Sequence, residues 1–148
     1  MERKEKLLHF LAFLKEELNF NFNKDSFEDR IKLQKYVRIA KLFGLDLGYR
    51  FNLYLRGPYS PDLASDYYGL SGPMPELARL DNFDSKKFLK MVRDKDTRWL
   101  ETAATIISVK DNNPGISDDR VIAIVAEIKN IGEEEVSEVF SEVKALTS

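Results

Sequence analysis

The sequence has no cysteine and only one histidine, His9, in 148 residues. The first absence excludes disulfides, thiol nucleophiles and thiolate metal sites. The second excludes His-rich zinc and iron centres and leaves a His-based triad without support. Glycine and proline are sparse, at seven and five, so neither a low-complexity polymer nor a disordered chain is indicated. The longest apolar region, residues 103–109, falls far short of the roughly 20 residues that cross a bilayer. The first six residues alternate charges without the apolar core of a signal peptide. These features predict a cytoplasmic protein with no membrane association. Walker-type and dinucleotide glycine loops are missing, and Ser60 lacks the Gly-x-Ser-x-Gly elbow of a nucleophile. The paired acids Asp62 and Asp66, and Asp118 and Asp119, lie at expected helix starts, where carboxylates serve the helix dipole. The sequence therefore predicts no enzymatic activity, no catalytic residue, no metal and no cofactor.

What remains is ordinary material for one domain. A chain of this length buries roughly 68–70% of its unfolded surface without covalent help. Apolar residues recur at helical spacing from about Lys4 to Leu18. Ser26 is a good N-cap for a second helix, Phe27 to Phe43, closed by Gly44, and its apolar stripe Leu33, Tyr36, Val37, Ala40 and Phe43 is joined by Ile31, Ile39 and Leu42. Only the wedge holding Arg30, Gln34, Arg38 and Lys41 is wholly polar, which places this helix near the centre of the domain. From Tyr49 to Leu55 the period changes to two and predicts a strand, with the alternation around Phe20 and Phe22 as its expected partner. Were that pairing to fail, the open edge would suit a homodimer. Gly57 and Pro58 read as strand breakers, and Ser60-Pro61 as the start of a short helix over 61–68. Helices over 85–94, 97–110, 117–130 and 133–146 follow, after a Gly- and Pro-bearing loop at 69–82. The fold class is mainly α, a single helical domain over 1–148 with a small two-stranded β element.

Three short motifs stand out: Lys32-Leu-Gln-Lys35, Tyr54-Leu-Arg-Gly-Pro-Tyr-Ser60 and Leu100-Glu-Thr-Ala-Ala-Thr-Ile106. In these the chain resembles the YwgA-like family of small bacterial and archaeal proteins and, more distantly, the Panacea (SocA-like) antitoxin domain. The resemblance spans roughly residues 27–146. It implies a mainly helical fold and an antitoxin-like interaction role, and it brings no catalytic residues. The chain departs from the Panacea pattern at Tyr59-Ser60 after the Gly-Pro pair and at Arg38 within the helix. Read without the resemblance, Lys32 to Lys35 are a packed helix with polar ends. Residues 57–60 are then a turn and a cap, and a buried Gln34 would need hydrogen-bond partners inside the fold.

Charge is segregated. Residues 1–60 carry a net +4 and residues 61–148 a net −6, and the sharpest excess, +6, lies in 30–56, where seven Lys and Arg face only Asp46. Arg30, Gln34, Arg38, Lys41, Arg56 and Tyr59 are the expected binding residues. Two occupants fit them. One is acidic protein surface, either the C-terminal helix of this chain or a neighbour, or a separate protein partner. The other is nucleic acid, read by the basic helix 27–43 in a winged-helix arrangement. The sequence favours the first, a non-enzymatic protein-interaction or regulatory module.

Overall fold

The computed structural model describes every residue except Leu55, Leu77 and Ser148. Among the described residues seven helices and one hairpin follow in order: α1 Arg3–Leu18, α2 Phe27–Leu42, β1 Asn52–Tyr54, β2 Gly57–Tyr59, α3 Pro61–Tyr68, α4 Ser85–Val92, α5 Thr97–Asn112, α6 Asp118–Lys129 and α7 Glu133–Thr147. Helix starts are set by side-chain caps. The Oγ atoms of Ser26, Ser60 and Ser117, and the carboxylates of Asp84 and Asp96, each accept from the backbone N–H three residues on. Ends are set by residues that reach the left-handed region, Asn19 and Asn130 at φ 54°.

Two helices occupy the middle. In α2 every residue from Leu33 to Ala40 is buried, and in α5 every residue from Leu100 to Val109. They pack on each other, with α6 and α7 on the far side of α5 and the hairpin against both. A cluster of phenylalanines, Phe10, Phe13, Phe83 and Phe88, joins α1 to α4 with ring centroids 5.3–6.4 Å apart. The mainly helical class with one two-stranded element is what the sequence predicts, and no helix among the described residues is long and apolar enough to cross a membrane.

The strand pairing differs from expectation. β1 does not pair with the segment around Phe20 and Phe22. It turns back antiparallel onto β2 in the register Asn52↔Tyr59, Leu53↔Pro58, Tyr54↔Gly57, with only positions 55 and 56 between the strands. Gly57 and Pro58 thus form a strand instead of ending one. Gly57 supplies a positive φ of 94° at the turn, and a proline is tolerated on an edge where no ladder donor is required. The Phe20 and Phe22 alternation reflects burial without a ladder: their rings meet Tyr36 and Tyr67 at 5.3 Å each. The strand is also shorter than the alternation, because Tyr49, although buried, and Phe51 lie before it in backbone that belongs to no sheet.

Candidate functional site

A two-stranded hairpin leaves backbone groups on its edges, and buried edges need partners. Here α2 supplies them. The Ser60 N–H donates to Gln34 Oε1 at 2.8 Å, and Gln34 Nε2 donates back to the Ser60 carbonyl at 3.0 Å. The next residue of α2 holds the strand two residues earlier, where Lys35 Nζ donates to the Pro58 carbonyl at 2.6 Å. Both side chains are 1% exposed, so the primary amide of Gln34 stands in for a strand neighbour. From the other side α5 approaches so closely that a Cβ on Gly57 would lie 2.7 Å from Thr105 Oγ1 and 3.3 Å from the Glu101 carbonyl. The three motifs quoted above therefore meet at one place, with Lys32-Leu-Gln-Lys35 and the Leu100 to Ile106 stretch of α5 gripping the Gly-Pro-Tyr-Ser strand.

Above this junction opens a cleft of about 490 Å³ between the first half of α2, the hairpin and the end of α3. The size is ordinary for a ligand or peptide site. Phe27, Arg30 and Ile31 of α2 form one wall, Tyr54, Arg56 and Tyr59 of the hairpin a second, and Tyr67 and Tyr68 of α3 a third, with Gln34 and Lys35 toward the junction. Four of the seven large apolar side chains that stay exposed among the described residues lie here, Phe27 at 55%, Tyr54 and Tyr68 at 49% and Tyr59 at 36%. Tyr54 and Tyr59 meet edge to face at 5.7 Å, and the guanidinium groups of Arg30 and Arg56 lie over the Phe27 ring at 5.7 and 5.1 Å.

Charge beneath the hairpin is concentrated on one carboxylate. Glu101, buried on α5, accepts from Lys129 Nζ at 2.8 Å and lies 3.7 Å from Arg56. Burial pushes the Lys35 ammonium down to about 8; Glu101 opposes this shift, while Lys129 and Arg56 add to it. Burial likewise pushes the Tyr36 and Tyr67 phenols up to about 12. A consequence follows by linkage. Between pH 8 and pH 10 the unfolded chain holds more protons on Lys35 than the folded chain does, so stability rises with pH, by up to about 1.4 kcal/mol per unit. Above pH 10 the two tyrosines, which keep their protons longer when folded, reverse the slope. Denaturant unfolding across this range should show the rise in the parent and lose it in Lys35→Met. A parent-to-variant difference independent of pH would contradict the assignment.

Of the residues expected from sequence, Arg30, Gln34, Arg56 and Tyr59 line the cleft. Arg38 and Lys41 do not. Arg38 turns inward, 7% exposed, where its Nε donates to Ser108 Oγ at 3.2 Å and its Nη2 to Asp111. The expected basic wedge is thus interrupted: a triple charge reversal of Arg30, Arg38 and Lys41 would strike the core. Phe27, Tyr67 and Tyr68 are not among the expected residues: the tyrosines come from α3, and Phe27, at the first turn of α2, joins them only through tertiary packing. Ser60 is fully buried with its Oγ occupied as a cap, and His9 Nδ1 accepts from the Arg79 N–H at 3.1 Å. The acids of α7 do not cover the basic segment of their own chain: Glu135 pairs with Arg98, and Glu142 with Lys95 and the Trp99 indole.

Asp66, one of the paired acids, lies in the same last turn of α3 but is bonded to Arg3 and Tyr49 and does not line the cleft. Burial raises its pKa, but hydrogen bonds from the Tyr49 hydroxyl and Arg3 Nε, both 2.8 Å, outweigh this and hold it below the usual carboxylate range. Comparison of the chain with family models, curated proteins and solved structures gave no match.

Proposed function

We propose that this chain is a non-enzymatic protein-interaction module that captures an extended segment of a partner protein in the aromatic cleft. The observation that carries the reading is the gathering of Phe27, Tyr54, Tyr59 and Tyr68, all solvent-exposed, around one concavity whose floor is pinned by buried hydrogen bonds. Aromatic side chains with few rotatable bonds on a rigid support lose little entropy on binding, and they dominate interface energetics. An antitoxin-like role, which the resemblance to the Panacea domain implies, is one regulatory use of such capture.

Winged-helix recognition of duplex DNA has less support. A recognition helix must enter the major groove, whereas α2 is buried along eight consecutive residues and spends Lys35 and Arg38 on internal partners. The test is selection of random displayed peptides on the full chain. The expected result is a set of enriched sequences whose binding is lost in the Tyr54→Ser/Tyr68→Ser variant, with its melting temperature near the parent's because both positions are half exposed. Failure to enrich any peptide would overturn the reading.

A further inference from the structure

Among the cleft's lining residues are three cations, Arg30, Lys35 and Arg56, and no carboxylate. We infer, on the basis of the module reading above, that the segment it captures is acidic, with a carboxylate side chain seated at Arg56 and Arg30 beside an apolar or aromatic residue held by the tyrosines. Two independent features carry this. The first is the imbalance beneath the hairpin, where Lys129 and Arg56 share the single carboxylate of Glu101. Glu101 Oε2 is taken by Lys129 at 2.8 Å, whereas Arg56 stands 3.7 Å from Oε1 with its side chain 58% exposed. Its guanidinium thus keeps donors to offer at the rim.

The second feature is the way the arginines are held. Each lies over the Phe27 ring. Such a contact leaves the edge of the Arg56 guanidinium for a bidentate carboxylate, while Arg30, whose Nη1 donates to the Lys24 carbonyl at 2.8 Å, has its other nitrogens to offer. The acids nearest in sequence do not compete: Glu28 pairs with Lys32 and accepts from Thr97, and Asp29 accepts from the Asn23 N–H. A peptide carboxylate fits this better than a nucleic acid strand. The latter needs a basic groove running on beyond the stacking platform, and here the basic residue next along α2, Arg38, points into the core.

The experiment uses the most strongly enriched displayed peptide, synthesised together with a copy in which every Asp and Glu is replaced by Asn and Gln. Each is titrated onto the full chain by calorimetry, for the parent and for Arg56→Gln, an exposed position whose substitution leaves the core alone. The expected result is about tenfold weaker binding on neutralising the peptide acids, and a similar loss on Arg56→Gln for the acidic peptide only. The affinity of the parent should also fall with added salt. Equal affinity for the acidic and amide peptides, or selection of peptides without acids, would overturn the inference while leaving the interaction module intact. No enriched peptide at all would remove both. Binding of a single-stranded oligonucleotide in competition with the peptide, and more tightly than it, would assign the cleft to nucleic acid instead.

Discussion

Gly57→Ala should lower the stability of the folded chain by about 3 kcal/mol, the sum of a left-handed backbone penalty and an overpacked contact. Gly57 sits at φ 94°, a conformation in which any side chain is strained, and the added methyl would meet Thr105 Oγ1 at 2.7 Å. Neither neighbour yields cheaply: Thr105 is fully buried and its hydroxyl already donates to the Glu101 carbonyl at 2.7 Å, while the second contact, at 3.3 Å, is that backbone carbonyl itself. In a domain of this size the loss corresponds to a fall of about 6–12 °C in melting temperature. By contrast Gly72 and Gly115, also at positive φ, have nothing within 4 Å of the added atom, so alanine there carries only the backbone strain. A Gly57 variant no less stable than these two would show that the hairpin does not lie against α5.

Gln34→Leu should also destabilise the chain, by about 1–3 kcal/mol, for a different reason. The substitution keeps the volume and apolar contacts of a helix residue but deprives the buried Ser60 N–H of its partner, while the Ser60 carbonyl keeps the Ala64 N–H at 3.1 Å. One orphaned buried N–H costs about 1–3 kcal/mol. Gln34→Glu separates geometry from polarity. It retains the acceptor for the Ser60 N–H yet sets a carboxylate oxygen against the Ser60 carbonyl, and it should recover only part of the loss. Chemical unfolding of the two variants measures this; a Leu variant as stable as the parent would mean that water or another group serves Ser60.

These two residues also mark where the sequence is legible and where it is not. Helix positions follow from local chemistry that a sequence displays openly: Ser26 and Ser60 as caps, Pro61 behind one of them, and Asn or Gly at the ends. The hairpin is hidden because its second strand is Gly-Pro-Tyr, residues that usually interrupt a ladder. The stabilising partner for that strand is a glutamine side chain 26 positions earlier, which no periodicity reveals. The same long-range pairing misleads the charge reading of α2. Gln34 and Arg38 read as part of a polar wedge and Lys35 as the polar end of a motif, yet each is buried against a group on another element.

The central place of α5 is hidden in another way: Thr102 and Thr105 satisfy their hydroxyls on the carbonyls four residues back, Arg98 and Glu101, so polar residues can sit in the interior of a buried helix. The cleft is legible in four of its eleven lining residues. Arg30, Arg56 and Tyr59 belong to a visible basic and aromatic segment, and a possible buried role for Gln34 could be named from its place on a central helix. Phe27, at the first turn of α2, and Tyr68, at the last turn of α3, join them only through tertiary packing.

The claim on which the rest depends is that the aromatic cleft, and no other surface, receives the partner. Backbone amide shifts of the isotope-labelled full chain, recorded as the selected acidic peptide is added, test it most directly. The account predicts that the largest changes fall at Phe27, Arg30, Arg56, Gly57, Tyr59 and Tyr68, with α6 and α7 unmoved. Changes concentrated on α6 and α7, with the hairpin and the first turn of α2 unaffected, would contradict it.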